Sequence, residues 1–151
     1  MRRLAPARTR NNKVAARLFD ELSADADALV MRARALSLPP SGRAWVRVTE
    51  SDAADAWLIA WMPGSATGWH DHGESHGVVG VLAGTLTERS WTGSHGAVRA
   101  RVSSRRSTIV VPPGRRHDVA NTGSDLAVSL HVYAPRLAQM NFYPERAAVF
   151  F

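Results

Sequence analysis

The sequence predicts an all-β barrel domain that follows a short helical N-terminal segment. Residues 12–36 carry apolar side chains at a period close to 3.6, which indicates helix. After Gly42 the pattern changes to eight short runs rich in β-branched and aromatic residues, separated by turns. Many short strands at this spacing are typical of a β-sandwich or barrel. We therefore expect residues 1–42 to form a basic arm with the helical segment, and residues 43–151 to form the barrel domain.

The expected elements follow from local signals. A second helix is expected inside the helical segment, capped by Ser23 with acidic residues in its first turn. The helical region should end in the Pro-Pro-Ser-Gly sequence at 39–42. The predicted strands cover residues 44–49, 56–62, 77–83, 85–91, 97–102, 107–111, 117–121 and 126–133. The tail after them is expected to be irregular, with its aromatic side chains packed over the barrel: Phe142, Tyr143, Phe150 and Phe151.

Composition excludes several kinds of protein. The 151 residues are 45% hydrophobic and include no cysteine, so neither a disulfide nor a thiolate metal site is possible. The absence of cysteine fits a reducing compartment, and we expect a cytoplasmic location. No run reaches the roughly 18 apolar residues of a membrane span. The basic N-terminus is not followed by the apolar stretch of a secretion signal.

The net charge of +6 is concentrated at one end of the chain. Residues 1–19 contain six Lys and Arg side chains and no acid, so 13 basic residues face 13 acidic ones in the remainder. A basic arm can bind phosphates, but a frayed, solvated terminus is the simpler interpretation. We therefore expect no nucleic-acid partner.

Three of the six histidines lie close together, in residues 70–76. In an extended chain His70 and His72 share a face while Asp71 points away. Their Cα atoms would lie roughly 6.5 Å apart, so both imidazoles can reach one metal ion with bonds of about 2.1 Å. The same His-x-His pattern also occurs on solvent-facing strands, so it does not define a metal site alone.

A second motif supplies a third histidine. Residues 112–121 begin with Pro-Pro-Gly and continue through His117 to Asn121, and the tight turn delivers His117 onto a strand beside the first pair. Gly64 lies six residues before His70, and Gly84 lies twelve after His72. Across residues 44–134 these spacings resemble the two motifs of the cupin superfamily, whose members form a jelly-roll β-barrel. The resemblance implies that one metal ion is held by His70, His72 and His117.

The chain departs from the general cupin pattern at one ligand position. The superfamily places a Glu where this chain has Gly77, and Glu74 lies three residues too early to replace it. Three neutral nitrogens would leave the ion its full charge and open positions, which favours anionic substrate ligands. Imidazole ligation suits Fe, Zn, Cu or Ni.

Residues 69–77 and 127–135 narrow the resemblance. They carry His-x-His with Ser-His four residues on, and a Ser-x-His-x-Tyr strand that leads into Pro. This combination resembles the cysteine dioxygenase (type I) family of thiol dioxygenases. There, mononuclear Fe(II) held by three histidines oxidises a thiol to a sulfinate with O₂. Some members link a Cys at the position of Gly77 to the active-site tyrosine; this chain cannot, so their substrate choice is not carried over.

Two further groups of residues are expected at the site. By alternation alone, Ser129, His131 and Tyr133 either line the cavity or face solvent. The resemblance implies that they line it, with Ser129 orienting His131 and His131 hydrogen-bonding the Tyr133 phenol. A substrate carboxylate calls for the planar fork of an arginine. Arg47 lies where the family carries its substrate-binding arginine, and Arg43 on the same strand face is the alternative.

The resemblance implies an Fe(II)-dependent dioxygenase, with one iron per chain, that converts L-cysteine and O₂ to cysteine sulfinate. A dioxygenase for 3-mercaptopropionate or another small thiol acid is the nearest alternative. A non-catalytic metal-binding sensor lacks a visible helix-turn-helix segment, and a Zn- or Ni-dependent isomerase would leave the Ser-x-His-x-Tyr strand unexplained. His76 could contact the site or be structural, and His95 is expected to be exposed. No membrane partner is expected, and the oligomeric state is open.

Overall fold

The computed structural model describes residues 6–92 and 97–145. Two helices come first, α1 (Ala7–Ser23) and α2 (Ala26–Arg34). The strands follow in chain order: β1 (Arg43–Glu50), β2 (Asp55–Trp61), β3 (Trp69–Asp71), β4 (His76–Ala83), β5 (Thr85–Thr92), β6 (Ala97–Ser104), β7 (Thr108–Val111), β8 (His117–Ala120), β9 (Ala127–Ala134) and β10 (Asn141–Tyr143). None of the described helices is long and apolar enough to cross a membrane.

The strands form two five-stranded antiparallel sheets. The first has the order β1-β2-β9-β4-β7 and the second β10-β3-β8-β5-β6. Neighbours along each sheet are mostly distant in sequence, which is the connectivity of a jelly-roll barrel rather than of a meander. The predicted all-β fold with a helical N-terminal segment is confirmed, and each of the eight predicted runs corresponds to a strand.

The N-terminal basic residues belong to a packed helix from Ala7 onward, so the expectation of a frayed arm is wrong for this part of the chain. The bases lie on the exposed face of α1, while Ala15 and Phe19 are buried against the first sheet. A Cβ at Gly80 would lie 2.2 Å from the Phe19 ring, so only glycine there admits this close packing. Residues 1–5 lie outside the described part.

The cap of the second helix is Asp25 rather than the predicted Ser23. The Asp25 carboxylate accepts a hydrogen bond from the Ala28 N–H at 3.3 Å. Ser23 is instead the last residue of α1, and its hydroxyl donates to the Asp20 carbonyl at 3.5 Å. Because α1 runs on through Ser23, the free N–H groups of α2 begin two residues later, where an aspartate is available.

Two short strands were not predicted, and both border the site. Strand β3 contains His70, and β10 lies in the tail that was expected to be irregular. They pair because Asp71 accepts hydrogen bonds from Asn141, at 2.8 Å, and from Tyr143. Of the aromatic residues expected to cover the barrel, Phe142 and Tyr143 do so here. His95, Phe150 and Phe151 lie outside the described residues.

Candidate active site

His70, His72 and His117 meet at one point inside the barrel. His70 on β3 lies directly opposite His117 on β8, and His72 follows the end of β3. The Nε2 atom of His72 is 3.2 Å from that of His70 and 3.5 Å from that of His117. All three side chains are buried. The barrel therefore places the ring nitrogens from two separate sequence motifs within reach of one ion.

The hydrogen bonds of the rings show that these residues fit a metal. His70 donates its Nδ1 proton to the Gly68 carbonyl at 2.9 Å, and the His117 Nδ1 faces the buried Glu88 carboxylate at 3.4 Å. Such partners fix the tautomer that leaves Nε2 with a bare lone pair. With metal bonds of about 2.1 Å, ligand nitrogens lie roughly 3.0 to 3.4 Å apart for right-angle to tetrahedral arrangements. The separation of 3.2 Å lies within that range, and the separation of 3.5 Å lies just above it.

Burial keeps these rings in the form that binds metal. Burial, reinforced by the neighbouring histidines, lowers the pKa of His70 to about 4 and that of His72 to about 2. Both rings are therefore neutral at physiological pH, as ligation requires.

The two histidine motifs are tied together by their turns. Gly73, directly after His72, adopts a left-handed conformation with φ of +58° and donates its N–H to Asp71 at 2.8 Å. Its carbonyl accepts the N–H of Gly114 at 3.0 Å, in the turn that precedes His117. A residue with a Cβ is strained in that conformation. The glycines thus hold the ligand-bearing segments in register.

Ser129, His131 and Tyr133 point inward from β9 and form a buried hydrogen-bonded chain. The Ser129 hydroxyl lies 2.7 Å from His131 Nε2, and His131 Nδ1 lies 3.2 Å from the Tyr133 hydroxyl. Trp61 on the neighbouring strand donates its indole N–H to Ser129 Oγ at 2.8 Å. The Tyr133 ring also contacts His72, with ring centroids 4.7 Å apart. The row of hydrogen bonds therefore ends beside the histidine cluster.

Trp61 can only donate, so Ser129 Oγ accepts from it and keeps a second lone pair and its own proton. Ser129 can therefore either donate to His131 Nε2 or accept from it. When Ser129 donates, His131 carries its proton on Nδ1 and donates it to the Tyr133 oxygen. In that arrangement the phenol proton is free to point into the cavity.

Burial also sets the charge states of His131 and Tyr133. It lowers the pKa of His131 to about 3 and raises that of Tyr133. His131 is therefore neutral and Tyr133 protonated at physiological pH. The arrangement can deliver a hydrogen bond, or a proton, to an oxygen or sulfur atom beside the histidines.

A cavity of about 330 Å³ opens from the histidine cluster to solvent. Its charged and polar lining comes from Arg43, Thr67, His131, Tyr133 and the three clustered histidines. The remainder is apolar or aromatic, contributed by Trp45, Trp57, Ile59, Val119, Leu137, Met140 and Phe142. A small molecule can enter this space and reach the histidines.

Arg47, the predicted carboxylate ligand, does not line the cavity. Its guanidinium pairs with Glu50 at 3.2 Å and lies over the Trp57 ring, 5.2 Å from the centroid, and 46% of its side chain is exposed. Arg43, the alternative on the same strand face, does line the cavity and stacks over Trp61 at 5.2 Å. Glu50, three residues further on, holds the Arg47 guanidinium in an ion pair. Within the described residues Arg43 forms no salt bridge, and its guanidinium lies over the rings of Trp45 and Trp61. The geometry favours Arg43 as the anion-binding residue.

Sequence reasoning missed two supporting residues. Glu88 is buried on β5 and orients His117, and Trp61 fixes the Ser129 hydroxyl. One signal for Glu88 was available, because it alternates with Leu86 and Ser90 and so falls in the buried register of its strand. His76 is buried but is not among the residues that line the cavity.

Solved structures similar to this chain share its cupin-type β-barrel fold. An oxalate oxidase in complex with glycolate superposes with a TM-score of 0.61 at 20% identity, over 69% of this chain and 56% of that one. A Thermus thermophilus protein matches at 27% identity with a TM-score of 0.59, over 68% of this chain and 92% of its own. The cupin domain of Schizosaccharomyces pombe Cnp3 matches at 11% identity with a TM-score of 0.57, over 67% and 69%. The chain spans just over half the length of the oxalate oxidase.

The match to a family model identifies the family, which the structural similarities do not. The family model of cysteine dioxygenase type I matches residues 7–146. The chain therefore belongs to the cysteine dioxygenase type I family, which confirms the resemblance drawn from the histidine and Ser-x-His-x-Tyr motifs. The buried cluster of His70, His72 and His117 is the candidate metal site of this family member.

Proposed function

We propose that this protein is an Fe(II)-dependent thiol dioxygenase that oxidises a small thiol carboxylic acid, with L-cysteine as the first candidate. The reaction is R–SH + O₂ → R–SO₂H, in which sulfur is oxidised and both oxygen atoms are retained. The observation that carries the proposal is the juxtaposition of three converging histidine nitrogens with the buried, hydrogen-bonded residues Ser129, His131 and Tyr133. Family membership supports it.

The charges of the cavity support an anionic substrate. Among the described residues that line it, none is Asp or Glu, while Arg43 adds a positive charge. A divalent ion on neutral ligands would add two more. A thiolate and a carboxylate on one small molecule would offset most of this charge.

Each side chain then has a defined part in the reaction. His70, His72 and His117 would hold the iron, which supplies a site for thiolate ligation and O₂ activation when bound. Arg43 would bind the carboxylate through its planar fork and so orient the sulfur. Tyr133 would donate a hydrogen bond to the reacting atoms, with Ser129 and His131 fixing its direction. The apolar wall limits water around them.

The proposal is tested by O₂ consumption. The iron-loaded protein is expected to consume O₂ when supplied with L-cysteine, with stoichiometric sulfinate. If the protein turned over neither cysteine nor any small thiol acid tested, the proposal would be contradicted and a non-catalytic, ligand-sensing role would be favoured.

A second substrate, 3-mercaptopropionate, is favoured by one observation. The described lining residues include no carboxylate that could pair with a substrate ammonium group. A thiol acid without an amine would leave no buried charge unpaired. The ratio of kcat/KM for the two thiols decides between them.

Arg43→Ala is expected to lower kcat/KM for a thiol carboxylic acid by about tenfold to 150-fold, and to leave the iron content unchanged. The reason is the loss of a charge-assisted bond worth roughly 1.5–3 kcal/mol. Arg47→Ala is the matched control on the same strand face and should change kcat/KM by less than about threefold. For cysteamine, which lacks a carboxylate, kcat/KM should change little in either variant. Equal losses on cysteamine and cysteine would mean that Arg43 supports the barrel rather than the substrate.

A further inference from the structure

The cavity is larger than a cysteine-sized substrate needs. Its volume of about 330 Å³ lies within the range of about 300–1,000 Å³ typical of sites for drug-sized ligands. With sulfur at the histidine cluster and carboxylate at Arg43, a three-carbon thiol acid would occupy only the inner part. The outer part would remain for a further group of the ligand.

We name the apolar lining contributed by Trp45, Trp57, Leu137, Met140 and Phe142 the outer chamber. Three of these side chains, Trp45, Met140 and Phe142, are exposed to solvent, and the Phe142 ring also lies 5.9 Å from the His70 ring. The residues of the outer chamber come from β1, β2 and the segment that leads into β10. A cavity with this lining stabilises hydrocarbon rather than a second charged or hydrogen-bonding group.

The rim of the outer chamber is unusually exposed. Trp45 is 57% exposed, Met140 37% and Phe142 65%. Large apolar side chains held in water at one opening mark a binding surface, whereas scattered ones do not. Here three such side chains, one from β1 and two from the segment around β10, line one cavity.

The outer chamber is also held in place. The Leu137 N–H donates to the buried Asp55 carboxylate at 3.1 Å, and Asn141 donates to Asp71 at 2.8 Å. The segment bearing Leu137, Met140 and Phe142 is thus fixed at both ends. A preformed apolar wall costs little ordering entropy when a ligand binds to it.

We propose that the site takes thiol carboxylic acids that carry an apolar substituent, with the substituent in the outer chamber. This rests on the proposed function for the placement of sulfur and carboxylate. The substrate class would then be a 3-mercaptopropionate bearing an alkyl or aryl group next to its carboxylate, rather than a bare three-carbon thiol.

The test measures thiol binding to the iron-loaded full-length protein in the absence of O₂, by tryptophan fluorescence or calorimetry. The probes are 3-mercaptopropionate and 2-benzyl-3-mercaptopropionate. The benzyl compound is expected to bind at least about tenfold more tightly, since burying its ring removes apolar surface from water. Phe142→Ala and Met140→Ala should each reduce this preference by several-fold. Val102→Ala, on β6 and 68% exposed, is the matched control and should keep the preference.

Two results would overturn the assignment: a benzyl compound that binds no better than its parent, or a preference that survives both Phe142→Ala and Met140→Ala. Binding and turnover separate the two proposals. A strong preference without O₂ consumption would support the outer chamber and contradict the dioxygenase. If the protein oxidised 3-mercaptopropionate but did not bind the benzyl compound, the dioxygenase proposal would be supported and the outer-chamber proposal contradicted. If neither thiol binds, both fail.

Discussion

Replacing His117 by alanine is expected to reduce bound iron from about one atom per chain to near zero. His117 supplies one of three converging nitrogens from a strand separate from the other two, so its loss leaves a two-ligand site open to water. Loss of a supporting residue around a metal ligand already costs about 10–100-fold in affinity, and loss of the ligand itself should cost more. Iron content after dialysis, measured by atomic emission on folded protein, checks this.

His76→Ala is the matched control, because His76 is also a buried histidine but lies outside the cluster. It should retain iron even if the protein is less stable. Glu88→Gln keeps the ligand but weakens the hydrogen bond that orients His117, so its iron affinity should fall between the two. A His117→Ala protein that binds iron as tightly as the unmodified chain would contradict the three-histidine assignment.

Tyr133→Phe is expected to lower kcat roughly 100-fold or more while iron content and KM change little. The substitution removes only the hydroxyl that ends the buried hydrogen-bonded chain, and a positioned donor or acid contributes about 10²–10⁴-fold. An interaction made mainly in the transition state appears in kcat rather than in KM. Steady-state O₂ uptake over a range of thiol concentrations measures both constants.

Ser129→Ala should follow Tyr133→Phe with a smaller loss, because it leaves the phenol but frees the His131 ring. If Tyr133→Phe raised KM and left kcat intact, the phenol would instead bind the ground-state substrate. If Tyr133→Phe had normal kcat and KM, the hydrogen bonds among Ser129, His131 and Tyr133 would have only a structural role.

The pairing of His70 with His72 could be predicted from local spacing, whereas the approach of His117, 45 residues further on, was predicted from the resemblance to the cupin motifs. His70 and His72 share a face by strand alternation, and a Pro-Gly turn sets the direction of the strand that bears His117. Likewise, alternation along β9 places Ser129, His131 and Tyr133 on one face. In each case a short spacing determines the geometry, and the structure brings these side chains together.

The remaining features depend on contacts between distant segments, which spacing does not encode. Arg43 and Arg47 share a strand face, and only the ion pair with Glu50 separates their positions. Strand β10 exists because Asp71 binds the tail. The packing of Phe142 over the barrel was predicted, whereas its place beside Met140 in the cavity lining was not. The first helix was underestimated because its basic residues suggested a solvated arm, while its few apolar residues are enough to pack on Gly80 and its neighbours.

The most direct test of thiol dioxygenation at this site uses ¹⁸O₂ with iron-loaded protein and either L-cysteine or 3-mercaptopropionate. Mass spectrometry of the product reports where the oxygen atoms come from. We predict a sulfinate in which both oxygens carry the label, formed by the unmodified protein and not by His117→Ala. A disulfide as the main product, or a sulfinate with label in one oxygen or none, would contradict the account.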